Sequence, residues 1–330
     1  MAYLLPSRHK DPNHPGPRFP PVPELLQIHK ALADETRLRL MRLLARGPLN
    51  VNEILGILRM GQSRVSRHLR ILAEAGLVTS RREGTWIYYE RVAESGSPLV
   101  SDTLALLDAH ERGLPHYEAD VQRLETAVER RREQTRSFFD SLSPGDELRH
   151  RSLDGTYYRR VALSVLPPKA GTILDLGAGS GLMLPALLER AGRVIAVDSS
   201  TTMLDLARKS AGAEAHRCDF RLGDLEHLPV ADGEADAVLA CMVLHHVSAP
   251  PQALGEAHRA LAAGGDLALI DLAPHTDESL RDQLADLWLG FQPGQMRRWL
   301  EAAGFEVIEA GSAAPDSEAI QLITFRGRKP

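Results

Sequence analysis

Apolar residues recur every three or four positions through the first third of the chain, after a start that shows no such period. The stretch from Glu24 to Ala75 has the pattern of several amphipathic helices, with Asp34 placed as an N-cap. Two short β-type runs follow and surround Glu83-Gly84, a typical hairpin signal. Helix, turn, helix and hairpin in this order predict a winged helix-turn-helix domain. The predicted elements are helices near 24–32, 35–45, 51–58 and 62–75, and strands near 77–80 and 86–91.

Beyond Phe138 the pattern changes, because short continuous apolar runs alternate with helical stretches. Such runs are typical of buried parallel strands in an α/β sheet. The last two runs predict a hairpin that ends the sheet with an antiparallel strand. We therefore expect a two-domain fold: a mainly α winged helix-turn-helix, then an α/β domain with a Rossmann-like, seven-stranded sheet. The predicted strands include 172–176, 194–197, 237–241, 267–270, 305–309 and 319–325.

Length and breaks in the pattern set the expected domain boundaries. A chain of 330 residues suggests about two domains. Residues 1–23 contain seven prolines and no period, which predicts an extended arm. Gly113-Leu114-Pro115 ends the winged helix pattern before a long charged helix. The expected division is a Pro-rich arm at 1–23, a winged helix domain at 24–112, a helical linker at 113–136 and an α/β domain at 137–330.

A glycine turn after the first strand of the α/β domain carries the strongest chemical signal. The sequence from Asp175 to Gly181 has the form D-x-G-x-G-x-G, which lacks both the G-x-G-x-x-G spacing of dinucleotide folds and the lysine of a P-loop. It resembles motif I of class I S-adenosylmethionine (SAM) methyltransferases. That family places an acid after the second strand for the ribose hydroxyls and a later acid for the adenine amino group. Asp198 and Asp224 occupy these two positions.

The resemblance implies SAM as the cofactor and methyl transfer as the activity. Glycines have no Cβ and let the backbone approach a ligand closely, while Asp175 can help to hold an ammonium group. The sequence from Phe138 onward is similar to ubiquinone/menaquinone-type small-molecule methyltransferases. The implied cofactor-binding residues are Asp175, Gly177, Ala178, Gly179, Gly181, Asp198, Ser199, Met203, Asp224, Leu225, Cys241 and His246.

The first domain resembles the ArsR family of bacterial repressors. The sequence 33–40 matches the opening signature of that family, and 63–78 matches its recognition helix and the following turn. The family implies a double-stranded DNA operator and a homodimer formed by the first and last helices. Because Arg reads guanine and Gln reads adenine in the major groove, the base-reading candidates are Gln62, Ser63, Arg64 and Arg67. The phosphate-contact candidates are Ser66, His68, Arg70 and, on the wing, Arg81 and Arg82. A solvated basic helix face is the alternative interpretation.

We predict no metal site. Many ArsR relatives sense soft metals through cysteines on the helix before the recognition helix, and 52–58 contains none. The pair His245-His246 lies close to Cys241 in sequence, but consecutive side chains are expected to diverge and not to share one ion.

The sequence is less specific about catalytic residues. His275 and Asp277 follow the fifth strand at its carboxyl end, the edge where ligands bind in such sheets. His275 could accept a proton from a methyl acceptor, whereas a polar helix cap formed by Asp277 explains the same residues. Tyr157-Tyr158 fit either a lid over SAM or ordinary packing. The string 288–291 could line the acceptor pocket.

The two predicted domains differ in the sign of their net charge. Residues 24–92 contain 12 Lys/Arg against 7 Asp/Glu, a net of +5, while 151–330 contain 17 against 24, a net of −7. A polyanionic partner is therefore expected for the first domain only. No apolar run is long enough to span a membrane, no leader pattern is visible, and two cysteines, Cys218 and Cys241, fit a reducing cytoplasm.

Together these patterns predict a cytoplasmic, dimeric DNA-binding regulator that carries a SAM-dependent methyltransferase domain for a small-molecule acceptor. Two alternatives stay open from the sequence. One is a repressor that senses SAM or S-adenosylhomocysteine (SAH) without turnover. The other is a small-molecule methyltransferase whose winged helix serves only dimerisation.

Overall fold

A computed structural model describes residues 22–83, 86–92, 97–142, 155–314 and 320–330. The predicted arm lies almost entirely outside these ranges, as does the residue after Glu83 in the predicted hairpin turn. The helices are α1 Val22–Leu32, α2 Glu35–Leu44, α3 Val51–Leu58, α4 Gln62–Glu74, α5 Pro98–His110, α6 Tyr117–Ser141, α7 Gly155–Val165, α8 Leu184–Leu188, α9 Thr201–Ala211, α10 Pro250–Ala260, α11 Ser279–Leu284 and α12 Pro293–Ala302. The strands are β1 Leu49–Asn50, β2 Val78–Glu83, β3 Trp86–Arg91, β4 Ala170–Leu176, β5 Ala191–Asp198, β6 Cys218–Leu222, β7 Ala235–Cys241, β8 Leu261–Leu272, β9 Glu306–Ala313 and β10 Leu322–Arg328.

The first domain is a winged helix-turn-helix, as predicted. Asp34 caps α2 by accepting a hydrogen bond from the backbone N–H of Arg37 at 3.1 Å. Asn50 and Glu53 form a reciprocal capping box at the start of α3. Apolar faces of α1 to α5 share one core, and β1, β3 and β2 form a small sheet whose β2–β3 hairpin is the wing.

The second domain is built on a seven-stranded sheet in the order β6-β5-β4-β7-β8-β10-β9. Neighbouring strands from β6 to β8 are parallel, and β10 pairs antiparallel with both β8 and β9. Helices α7, α8 and α9 pack on one face, and α10 and α12 pack on the other. This is the predicted Rossmann-like α/β sheet, with its antiparallel strand next to the edge.

Two helices differ from the sequence prediction. The pattern after the glycine turn predicts a helix from Leu182 to Ala191, but the helix covers only Leu184–Leu188, because β5 already begins at Ala191. The charged helix α6 is longer than expected and runs 25 residues, from Tyr117 to Ser141. It therefore extends from the first domain, across the predicted linker, into the second domain.

Helix α6 is fixed to the first domain by a buried ion cluster. Asp120 of α6 is fully buried and accepts hydrogen bonds from Arg39 at 2.7 Å and from Arg42 at 2.5 Å, both on α2. Removing one partner from such a cluster leaves a buried charge without compensation, which is strongly destabilising. The start of α6 is thus a rigid part of the winged helix domain.

The wing packs against the second domain. Tyr88 of β3 lies with its ring centroid 5.0 Å from that of Trp288, and both side chains are buried. Gln295 of α12 accepts a hydrogen bond from Arg81 at 2.7 Å and donates one to Glu90 at 2.9 Å. Aromatic and polar contacts together therefore join the wing to the α/β domain.

Candidate functional site

The glycine turn at the end of β4 has a backbone that only glycine adopts easily. Gly177 and Gly179 have φ values of 63° and 53°. A Cβ on Gly177 would lie 2.2 Å from Cγ2 of Val243, so a side chain cannot fit there. A Cβ on Gly179 would meet nothing within 4 Å. The turn therefore leaves open space above Gly179 that a ligand can fill.

Two cavities adjoin this turn and share Gly177, Gly179 and Met242. The first is lined by these predicted cofactor residues: Gly177, Gly179, Asp198, Ser199, Met203, Asp224, Leu225 and His246. The second is lined by Asp175, Gly177, Ala178, Gly179 and Cys241, together with Tyr158. Eleven of the twelve predicted cofactor residues thus line one cavity or the other.

Gly181 is the exception, and its role is packing. Its φ is 77°, and a Cβ there would lie 2.7 Å from Cα of Ala207 on α9. The third glycine of the motif therefore allows close packing of α9 against the turn, and we no longer assign it to ligand contact.

Asp198, at the end of β5, is held in place by backbone donors. Its Oδ2 accepts from the N–H of Gly179 and its Oδ1 from the N–H of Ser200, both at 2.9 Å. Burial raises the pKa of Asp198 to about 6, although these backbone hydrogen bonds act in the opposite direction. The carboxylate oxygens have further lone pairs, so they can accept ligand hydroxyl groups from the cavity.

Asp175 is the second buried acid of the site. Burial, reinforced by the charge of Asp198, raises its pKa to about 7. Its Oδ2 is buried and accepts no hydrogen bond from any described residue. A cationic group in the second cavity would supply the missing partner, and the ammonium group of SAM has the required chemistry.

Helix α6 supplies cavity residues both from the predicted linker and from the start of the predicted α/β domain. Arg132, Thr135 and Phe139 line the first cavity, and the Oγ1 of Thr135 is buried there without a protein partner among the described residues. Arg136 donates a hydrogen bond to Asp224 at 3.2 Å. A run of residues spaced three or four apart on α6 is the signal that could have indicated a buried face.

Helix α4, the predicted recognition helix, presents most of its predicted DNA-reading residues to solvent. Its apolar side chains Val65, Leu69 and Leu72 are fully buried against the domain core. The predicted DNA-contact residues that are exposed are Gln62, Ser63, Arg64, Ser66, Arg67 and Arg70. The helix therefore has one face fixed in the core and a basic face available to a partner.

Two predicted phosphate contacts are placed elsewhere. His68 is turned toward Asp34, with 3.6 Å between Nδ1 and Oδ1, and burial lowers its pKa. Arg81 donates to Gln295, and its guanidinium lies 5.1 Å from the ring centroid of Trp288. Both side chains are engaged inside the protein, so we remove them from the DNA-contact set. Arg82 is exposed on the wing and stays in it.

Two family models match the chain, one in the winged helix domain and one in the α/β domain. Residues 34–80 match the model described as bacterial regulatory protein, arsR family. Residues 174–269 match the model described as methyltransferase domain.

The chain joins an ArsR-family helix-turn-helix domain to a methyltransferase domain.

Individual relatives cover only part of the chain. An uncharacterized 37.1 kDa transposon protein of Streptomyces fradiae is 37% identical over 137 residues, which are 40% of this chain and 37% of that protein. An arsenite methyltransferase of Halobacterium salinarum is 32% identical over 165 residues, or 46% of this chain and 41% of the relative. A demethylmenaquinone methyltransferase of Deinococcus radiodurans is 34% identical over 142 residues, or 41% of this chain and 59% of the relative. The chain thus spans about two fifths of the length of the first two relatives.

The methyltransferase domain does not place the predicted catalytic residues in either cavity. Asp277 is exposed and accepts from the N–H and the hydroxyl of Ser279, at 3.0 and 2.6 Å, which is a turn contact before α11. Nδ1 of His275 accepts from the backbone N–H of Asp277 at 3.3 Å. The expected cap by Asp277 does not form, because the N-cap of α11 is Glu278, which makes no side-chain capping hydrogen bond. A polar turn before α11 explains both residues, and we no longer assign them a catalytic role.

The aromatic string of the methyltransferase domain also has a structural role. Trp288 and Phe291 are completely buried, and Trp288 Nε1 donates to the backbone oxygen of Val247 at 2.7 Å. Gly290 has a φ of 81°, and a Cβ there would lie 2.2 Å from the oxygen of Ala273. The string fixes the contact with the wing and lines neither of the two cavities. Tyr158 does line the second cavity, as a lid residue would.

Among the described residues, no helix combines the length and the apolar character that crossing a bilayer requires.

Proposed function

We propose that this protein is an ArsR-type DNA-binding regulator whose methyltransferase domain binds SAM and transfers its methyl group to a small molecule. The observation that supports this most is the pair of cavities around Gly177 and Gly179, one with Asp198 and the other with Asp175. Two adjoining pockets on a glycine turn, each with one buried acid, fit a ligand with a nucleoside at one end and an amino acid at the other.

The residues of the site can bind and orient both reaction partners. SAM, when bound, supplies an electrophilic methyl group on a sulfonium. Asp198 would accept hydrogen bonds from ribose, Asp224 from the adenine amino group, and Asp175 would hold the positive end. Phe139 and Met242 give the first cavity apolar walls that exclude water from the reacting atoms. Alignment of the reactants is the main contribution that such a transfer requires from the protein.

We propose that the methyl acceptor is a small molecule other than arsenite. Thiolates are the ligands that soft metals and metalloids prefer. The two cysteines of this sequence are separated in the sheet: Cys218 begins β6 and Cys241 ends β7, with β5 and β4 between them. Only Cys241 lines a described cavity. The substrate of the Halobacterium relative is therefore not transferred to this chain.

We also propose that the chain acts as a homodimer on double-stranded DNA. Leu25 and Leu26 of α1 and Leu106 of α5 are among the large apolar side chains that are exposed, at 37%, 52% and 61%. These are the first and last helices of the winged helix domain, which pair between subunits in the ArsR family. A dimer would place two copies of α4 on successive turns of an operator.

A second proposal, ligand sensing, is favoured by the contacts of α6. Arg131 is hydrogen-bonded through Nε and Nη2 to both carboxylate oxygens of Glu53, the capping residue of α3. One residue on, Arg132 donates to Glu226 at 3.3 Å and lines the first cavity. A ligand that moves this part of α6 would therefore act directly on the helix before the recognition helix.

Two measurements test these proposals separately. Labelled SAM incubated with the protein and a cell extract should transfer label to a small molecule, and absence of transfer together with tight SAH binding would support sensing without turnover. Operator affinity measured with and without SAH should differ by about 5- to 150-fold if the sites are coupled. Unchanged affinity would support an enzyme in which the winged helix does not respond to ligand.

A further inference from the structure

The segment after β7 brings two consecutive histidines together, contrary to the expectation that their side chains diverge. His245 and His246 lie in the short 3₁₀ turn Leu244–His246, and their ring centroids are 4.0 Å apart. Asp286, which follows α11, lies beside both rings. One potential ligand atom from each of the three residues lies within 4.8 Å of the other two.

The distances between these atoms fit a shared ion better than direct hydrogen bonds. Oδ1 of Asp286 lies 3.8 Å from Nε2 of His245 and 3.6 Å from Nδ1 of His246. Both separations are longer than a normal hydrogen bond. Two ligand atoms on a tetrahedral zinc ion, each about 2.0–2.1 Å from the metal, are roughly 3.4 Å apart. Small side-chain adjustments would give the required geometry.

Asp271 orients His245 in the way that metal-binding histidines are usually oriented. Nδ1 of His245 lies 2.6 Å from Oδ1 of Asp271, which is completely buried at the end of β8. The other carboxylate oxygen accepts from the backbone N–H of Leu244 at 2.8 Å. A histidine whose Nδ1–H is held by a carboxylate presents Nε2 as a ligand, and this nitrogen is the one that faces Asp286.

Carboxylates lie on both sides of the His245 ring. Asp271 and Asp286 are both buried, and Arg281 of α11 donates to the backbone oxygens of Asp286 and Leu287. Imidazole nitrogens together with a carboxylate oxygen are a ligand set that zinc accepts.

We propose that His245, His246 and Asp286 form a binding site for a divalent first-row transition metal ion, with zinc the best match to its nitrogen and oxygen ligands. The ion displaces a long contact of 3.3 Å between Nδ1 of His246 and the backbone oxygen of Ala285. Three protein ligands leave at least one coordination position. Because His246 lines the first cavity, the site adjoins the space assigned to the cofactor and the acceptor.

Cobalt is the most direct probe, since Co²⁺ reports its coordination through visible absorption bands and substitutes for Zn²⁺. The full-length protein, first treated with chelator, is titrated with Co²⁺ and then with Zn²⁺. We expect one ion per chain, four- or five-coordinate bands, and displacement of Co²⁺ by Zn²⁺. Addition of SAH should change the bands, because His246 borders the cofactor cavity. No saturable binding by the wild-type protein would overturn the proposal.

Variants assign the ion to these residues. Asp286→Asn removes a charged ligand with little change in shape and should weaken binding by more than 100-fold. Asp271→Asn should weaken it about 10- to 100-fold, as expected for a residue that orients a ligand. His227→Gln, at an exposed histidine outside the cluster, is the control and should bind like the wild type. Equal affinity in Asp286→Asn and wild type would also overturn the proposal. Thermal unfolding and SAH binding of each variant show separately whether the fold and the cofactor site are intact.

Discussion

The proposed recognition helix α4 and the proposed cofactor cleft, formed by the two cavities around Gly177 and Gly179, differ in how they would bind a polar partner. On α4, the predicted DNA-reading side chains are exposed and project from one continuous 13-residue helix. In the cleft, Asp175 and Asp198 are buried, and their environment raises their pKa values to about 7 and about 6. The first site depends on charges that remain in water, and the second depends on acids that a ligand must compensate. The two sites should therefore respond differently to mutation, pH and salt.

The largest expected effect is on DNA binding. Replacing Arg64 and Arg67 together by Ala removes two exposed guanidinium groups from α4. Each specific base contact is worth about 1–3 kcal/mol, so the double variant should lose about 2–6 kcal/mol of operator affinity. Fluorescence anisotropy with operator and with unrelated DNA measures the loss. SAH affinity should not change, and operator affinity equal to that of the wild type would show that α4 does not read DNA.

The next effect is on the cleft. Asp198→Asn keeps the shape of the side chain but removes its charge, and hydrogen bonds to a charged group contribute about 1.5–3 kcal/mol. Equilibrium dialysis with labelled SAM should show affinity about 10- to 100-fold weaker, while operator binding without ligand stays at the wild-type level. The matched control is Asp236→Asn, at an acid that accepts from the backbone N–H of Thr172 away from both cavities. If the two variants bind SAM equally, Asp198 does not contact the ligand.

A smaller effect is expected from pH. Both acids have folded-state pKa values above their ordinary values, so their contribution to the stability of the unliganded protein is present at low pH and is lost as pH rises toward about 6 and about 7. A ligand that needs the carboxylates does the reverse and binds more tightly at high pH. The increase in unfolding temperature caused by SAH should be greater at pH 8 than at pH 5.5. The affinity for SAH should be about tenfold higher at pH 8. Asp140, whose charge also raises the pKa of Asp198, is a titratable neighbour to include as a variant. A pH-independent shift would mean that neither acid contacts the ligand.

The smallest effect distinguishes two neighbouring arginines of the wing, Arg81 and Arg82. Arg81→Ala should change operator affinity by less than about 0.5 kcal/mol, because the Arg81 side chain is engaged with Gln295 and Trp288. Arg82→Ala, at an exposed neighbour on the same strand, should weaken DNA binding and reduce its salt dependence by about one phosphate contact. If Arg81→Ala has the larger effect, the wing must leave the methyltransferase domain when DNA binds.

The same contrast explains how much the sequence alone could predict. Apolar periodicity located α4 and its exposed face, because helix and binding site come from one contiguous stretch. The motif around Gly177 located β4, the turn and both acids, because a strand, a glycine turn and the acids that end neighbouring strands follow one another within a short stretch of sequence. The positions of Arg132 and Thr135 in the cleft could not be read in this way, since they depend on where α6 crosses the second domain. For the same reason, no local pattern placed Arg81 against Trp288.

Titration calorimetry of the wild-type protein with SAH at pH 8 tests the central claim, that the buried acids around the glycine turn hold a nucleoside with an amino acid end. The account predicts heat from one site per chain, with adenosine alone binding much more weakly because it leaves Asp175 without a partner. Absence of heat, or equal affinity for adenosine and SAH, would contradict it.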